Sequence, residues 1–211
     1  MRPKAPWGIA GGAVALLALI GLVMPTGQTP ETDAPSEGPW VYGAPEARFT
    51  LTTYADLECP YCRDAFPGLK AWIEAHPEVN GTWQHRPLPF HEPAAGREAR
   101  LTECAGRLGG QEAFWRAVEQ VFRQTRSSGQ GLPGPLTIPG VETQALEQCL
   151  AHDETIARTV RQQAAAASAS GIEATPTLRL TDNQTGRSIR LEGAADAATL
   201  LSALDWLASA P

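Results

Sequence analysis

The residues best suited to chemistry are Cys59 and Cys62, in the run Asp56-Leu57-Glu58-Cys59-Pro60-Tyr61-Cys62. Cysteines at this spacing in a first helical turn bring their Cα atoms within about 5–6 Å, inside the range a disulfide requires. The first would sit at a helix N-terminus, where unpaired N–H groups and the helix dipole favour a thiolate. Pro60 suits the first helical position, because its missing N–H has no intrahelical partner there. Cys59 is therefore expected to carry a lowered pKa and act as nucleophile. Cys62, a turn further in, is expected to be more buried and to act as the resolving thiol. Stabilising the thiolate stabilises the reduced pair, which makes the oxidised pair the better oxidant. Two other uses of the motif compete. A zinc site usually needs a second C-x-x-C or an H-x-H nearby, and the chain has neither; a purely structural bridge stays open.

Asp56 and Glu58 flank the pair and could relay a proton or raise the Cys59 pKa, although solvated acids are the default for such positions. His76, His85, His91 and His152 are scattered and share no ligand spacing. Trp72, Phe114 and Trp115 fit helix faces and read as core. Cys104 and Cys149 complete an even set of four cysteines, which in an exported protein points to disulfides and in a reducing cytosol does not.

The elements that must position these residues follow from periodicity and punctuation. Residues 48–54 (RFTLTTY) are β-branched and aromatic and predict a strand that runs into the motif. Residues 63–76 then predict a helix with Phe66, Leu69 and Ile73 on one face. Residues 82–88 predict a second strand, ended by Pro87 and Pro89. Helices are expected over 93–108 and 111–126, separated by Gly109-Gly110, followed by a Gly/Pro loop over 127–140. Two more are expected over 142–150 and 153–170, the latter stopped by Gly171. Residues 177–181 and 188–191 predict a hairpin, and 196–208 a last helix. There is no internal repeat.

The 211 residues leave room for one ordinary domain plus a tail. Beyond Lys4 the chain has 15 Lys and Arg against 23 Asp and Glu, about −8, and no basic stripe, so nucleic-acid binding is not expected. Gly8 to Met24 is an uncharged apolar run preceded by Arg2 and Lys4. At ~1.5 Å per residue it spans roughly 25 Å, barely a bilayer core. No basic residue follows until Arg48, so the positive-inside rule places the N-terminus in the cytoplasm and the remainder outside. The run reads as an export signal. Without a good A-x-A-like site, a retained single-pass anchor over 1–24 is preferred to a cleaved signal peptide that would leave a soluble periplasmic protein. Residues 25–39, rich in Pro, Thr, Gly and acid, read as an extended tether.

Several segments together resemble the DsbA-like thioredoxin-fold oxidoreductases. They are Gly43-Ala44-Pro45, Phe49 to Tyr54, the Cys59-Pro60-Tyr61-Cys62 run, Pro87-Leu88-Pro89, Cys104-Ala105-Gly106, Ala113-Phe114-Trp115 and Gly171 to Thr177 with its Thr175-Pro176-Thr177. The similarity spans about residues 43–208. It implies an α/β, thioredoxin-like fold over 40–211 with a helical insert at about 92–170, preceded by the N-terminal hydrophobic helix. It also implies a cis Pro176 set against the cysteine pair, and a Thr175 whose backbone bonds an extended substrate strand. Pro60 and Tyr61 would complete the support of the site. A Cys104–Cys149 bridge would resemble the family's second, non-catalytic disulfide; two buried free thiols are the alternative. The implied activity is oxidation of cysteines in exported proteins by dithiol–disulfide exchange at the bacterial cytoplasmic membrane, with a quinone-linked membrane protein restoring the oxidised pair. No organic cofactor or metal is implied. The same fold running backwards as a reductase or isomerase is the rival, and a binding module of the envelope is another. The Pro-Tyr dipeptide also occurs in isomerases of this family. Those carry an N-terminal dimerisation domain where only a tether precedes Pro39 here, which favours a monomeric oxidant.

Overall fold

The computed structural model describes residues 40–209. The expected hydrophobic helix over 1–24 and the tether over 25–39 lie outside the described residues. Among the described residues, no helix is long and apolar enough to cross a membrane.

Five strands form one sheet in the order β1-β3-β2-β4-β5: β1 Val41–Tyr42, β2 Phe49–Ala55, β3 Val79–His85, β4 Thr177–Asp182 and β5 Ser188–Glu192. β2 and β3 are parallel and joined through helix α1 (Pro60–Ala75), while the other pairings are antiparallel. In β2, Leu51 pairs with Gly81 on one side and Leu180 on the other. This strand is therefore central, and its apolar residues at alternate positions are buried. α2 (Ala94–Gln124), α3 (Thr143–His152) and α4 (Glu154–Ala169) are inserted between β3 and β4, and α5 (Ala197–Ser209) closes the chain. This is the α/β, thioredoxin-like arrangement with a helical insert.

The sequence-based boundaries differ in two instructive places. α1 starts at Pro60 with Cys59 as its N-cap, because a proline at the first helical position costs no hydrogen bond. β3 starts at Val79 and stops at His85, three residues earlier than the prolines suggest. The two helices expected around Gly109-Gly110 are the two halves of α2, which meet at a kink where Gly110 takes φ 75°.

Two apolar cores flank the sheet. In one, Phe49, Leu51, Leu178 and Leu180 meet Leu69, Trp72 and Ile73 of α1 and Leu200, Leu204 and Leu207 of α5. The other joins Leu57, Phe66 and Trp83 to Phe114, Val118 and Phe122 of the insert. α1 thus serves both cores, which fixes its first turn where sheet and insert meet. Cys104 and Cys149 form a disulfide with Cα atoms 5.9 Å apart, tying α2 to α3.

Candidate active site

Cys59 is the N-cap of α1, and Cys62 lies in its first turn; both are free thiols and each residue is 3% exposed. By exposed area the two are equal, but the Cys62 thiol lies the deeper, as expected. Cys59 lines an open groove with Tyr61, Leu88, Phe90, His91 and Thr175, and Cys62 does not. Tyr61 and Phe90 are 72% and 73% exposed, which sets two aromatic rings at the rim.

The Thr175-Pro176 bond is cis, and Thr175 closes the groove from the opposite side. Its carbonyl oxygen lies 3.3 Å from Cys59 Sγ and accepts from the thiol. Its hydroxyl is buried without another partner and is available to the thiolate. The sequence brings this loop here through the end of α4. Gly171 adopts φ +71°, the Ile172 N–H returns to the Ala167 carbonyl at 3.0 Å, and the Gly171 N–H returns to that of Ser168 at 2.9 Å. This αL turn halts the helix and buries Ile172 against Tyr54 and Ala167. Arg86 then donates from Nε to the Ile172 carbonyl at 2.9 Å, fastening the loop to the end of β3.

The two sulfurs are strongly differentiated. A hydrogen bond from the Cys62 thiol, helped by Thr175 and the N–H groups of Cys62 and Tyr61, outweighs burial and lowers the Cys59 pKa from 9.0 to about 6. Burial pushes the Cys62 thiol far up, and the neighbouring Cys59 adds to that. The pair holds one accessible thiolate and one reluctant thiol.

Asp56 and Glu58 are not solvated acids; they are 1% and 0% exposed. Asp56 accepts from the N–H groups of Glu58 and Leu88, each at 2.7 Å, and from His91 Nδ1 at 2.8 Å. Glu58 accepts from the Thr125 hydroxyl and from the Gly131 N–H at 2.9 Å, while its carbonyl accepts from Ser128 N–H at 2.7 Å. Glu58 thereby holds the loop over 125–131 that forms one wall of the groove. These side chains are buried because the insert covers them, which strand-and-helix patterning around the motif does not reveal.

Two further residues escape the sequence reasoning. Glu98 of α2 is 1% exposed, and neither of its carboxyl oxygens receives a donor. Burial, then a hydrogen bond with Glu58 and repulsion by Glu58 and by Asp56, raises its pKa to about 9. Glu98 therefore holds a proton and donates it toward Glu58, since two bare carboxylates cannot share a buried site. His91, placed among the scattered histidines, is brought into the groove by the turn over Pro89–His91. The other histidines lie elsewhere: His85 pairs with Glu103 at 3.3 Å in a buried cluster with Trp40, and His76 caps onto the Trp72 carbonyl. Among the described residues, no group of three or more His, Cys, Asp or Glu is arranged to hold a metal ion.

A central parallel βαβ unit, a helical insert, a dithiol at the head of α1 and a cis-proline loop against it define a DsbA-like thioredoxin-fold protein. Residues 35–199 match the family described as "Thioredoxin", and the chain belongs to that family. Among solved structures it is similar to Pseudomonas aeruginosa DsbA2, with 49% identity, TM-score 0.77, and 80% of this chain and 93% of that one covered. It shares the fold of BdbD from Bacillus subtilis at 20% identity and TM-score 0.69, over 84% of this chain and 97% of that one. A Na(+)/H(+) antiporter NhaA 1 of Mycolicibacterium gilvum is 30% identical over 169 residues, covering 78% of this chain and 26% of that protein. The chain thus matches between 11% and 28% of the length of these curated relatives.

Proposed function

We propose that this protein is a thiol–disulfide oxidoreductase that oxidises cysteines of exported proteins, with Cys59 as nucleophile and Cys62 as resolving thiol. The observation that carries the reading is the asymmetry of the pair. Cys59 faces the groove with its pKa lowered to about 6, while Cys62 is held well above its ordinary value. A stable thiolate is a good leaving group and favours the reduced dithiol, so the oxidised pair is a strong disulfide donor. Thr175 and the cis Pro176 provide backbone for an extended substrate strand, with Pro60 and Tyr61 completing that surface. Asp56 and Glu58 support the site from beneath, and the Cys104–Cys149 disulfide braces the insert. The apolar run over 8–24, flanked closely by basic residues only on its N-terminal side, with none following until Arg48, supports placing the domain outside the cytoplasmic membrane on a retained anchor. A membrane redox protein is then the partner that restores the oxidised pair.

The test is to equilibrate the purified full chain with glutathione redox buffers and follow Cys59 and Cys62 by mass spectrometry. An oxidant has a potential well above that of thioredoxin, about −270 mV, and loses all exchange when Cys59 is replaced by serine. A potential near that of thioredoxin would make the protein a reductase or isomerase. Exchange that survives Cys59→Ser would remove the proposed nucleophile.

A further inference from the structure

We propose that His91, oriented by Asp56, is the proton acceptor for the substrate thiol that attacks Cys59. The inference rests on the oxidoreductase reading and adds to it a group for the reacting sulfur that the dithiol itself does not serve.

Three donors converge on the Asp56 carboxylate, and one of them is His91 Nδ1 at 2.8 Å. A carboxylate only accepts, so Nδ1 carries the hydrogen and the lone pair of the neutral ring is left on Nε2. The His91 side chain is 7% exposed. Nε2 is left without a hydrogen-bond partner among the described residues, on a residue that lines the same groove as Cys59. The ring cannot easily turn away. Phe90 packs edge-on to it at 4.5 Å, and Gly129, which has no side chain, lies against the His91 backbone.

Cys59 does not need this base. Its thiolate is held by Cys62, Thr175 and two backbone N–H groups. An incoming substrate cysteine has an ordinary pKa of about 8.5 and is only a few per cent thiolate at pH 7. The charged groups around His91 agree with a proton-accepting role. Asp56 lies beside it, with Glu58 and Glu98 behind Asp56, and Glu173 lines the same groove. The one cation of the facing loop, Arg126, turns its guanidinium to the Gln130 and Gly131 carbonyls.

In the step proposed, the substrate S–H gives its proton to His91 Nε2 and the thiolate pair forms a bond to Cys59 Sγ. The Cys59–Cys62 bond breaks with its electron pair on the Cys62 sulfur, which takes up a proton to match the one His91 received. After His91 releases its proton to solvent, a second substrate thiol is deprotonated in the same way. It attacks the substrate sulfur of the mixed disulfide, closes the substrate disulfide and expels Cys59 as thiolate. The substrate loses two electrons and the Cys59/Cys62 pair gains them.

The test compares the oxidised full chain with its His91→Gln variant over pH 5.5–9.5, using rapid-quench mass spectrometry. One reductant is a synthetic peptide with two cysteines; the other is 2-aminoethaneselenol, a selenol that is a strong disulfide reductant and is already ionised at neutral pH. The variant should react with the peptide about tenfold more slowly at pH 7 and as fast as wild type above pH 9, where the peptide ionises unaided. Its rate with the selenol at pH 7 should be unchanged. An equal loss at every pH, a loss with the selenol at pH 7, or no loss at all would overturn the role of His91. A wild-type chain that oxidises neither reductant would overturn the oxidoreductase reading itself, and with it this one.

Discussion

Replacing Glu98 with glutamine should stabilise the protein, and more so the higher the pH. Glu98 is enclosed between α2 and the Asp56–Glu58 segment, and its pKa rises from 4.5 to about 9. Between those values the folded chain holds a proton that the unfolded chain has lost. Stability from this group is therefore full below about pH 4.5 and is lost as pH climbs towards 9, at up to about 1.4 kcal/mol per pH unit. Wild type should have given up roughly 3 kcal/mol on this account by pH 7. A glutamine amide cannot ionise, yet it still offers Glu58 an N–H where the acid offered an O–H. The measurement is urea unfolding by circular dichroism from pH 5 to 9, wild type against Glu98→Gln. Both proteins carry Cys59→Ser and Cys62→Ser, so that no thiol of the pair titrates. The stability difference should widen steadily with pH and level off near pH 9. A difference that stays constant from pH 5 to 9 would mean that Glu98 is ionised in the folded protein and that the proton shared with Glu58 does not exist.

Iodoacetamide should label Cys59 with a midpoint near pH 6 while Cys62 stays unreactive, and Cys62→Ala should raise that midpoint by removing its largest hydrogen bond. Because the folded Cys59 pKa is depressed, the reduced protein gains stability from this thiolate that is complete above pH 9 and fades as pH falls through 6, measurable by urea unfolding against Cys59→Ser. Opening the Cys104–Cys149 bridge with a double serine substitution should cost about 4 kcal/mol from chain entropy alone, given its separation of 45 residues, and urea melts would read it. Gly129→Ala should destabilise by about 1–2 kcal/mol and slow exchange at Cys59. Its φ is +79°, and an added Cβ would stand 3.2 Å from His91 Cα and 3.3 Å from the Phe90 carbonyl.

What the sequence discloses here is chemistry that is local. Cys59, Pro60 and Cys62 specify their own geometry within one helical turn, and Gly171 specifies the turn that ends α4, whereas the cis bond at Pro176 is carried by the family resemblance and not by the residues themselves. Asp56 and Glu58 read as solvated from the sequence because acids beside a loop are rarely buried, and the insert that covers them comes tens of residues later. Glu98 had a signal: it falls on the stripe of α2 that also holds Ala95, Ala99 and Thr102, all buried, so an acid at that phase is out of place. His91 had a weaker one, since Pro87, Pro89 and Pro93 confine its backbone. Its pairing with Asp56 spans 35 residues and is a product of the fold. β1 is only two residues long and offers no period to detect.

Trp40, where the described chain begins, donates from its indole to Glu103 at 2.8 Å and stacks on Phe114 at 4.9 Å. The start of β1 is thus moored to α2, one position away from the Cys104–Cys149 crosslink. Peeling β1 from β3 therefore means tearing the Trp40 ring from a covalently braced pair of helices, so the edge of the sheet shares the insert's resistance to local opening.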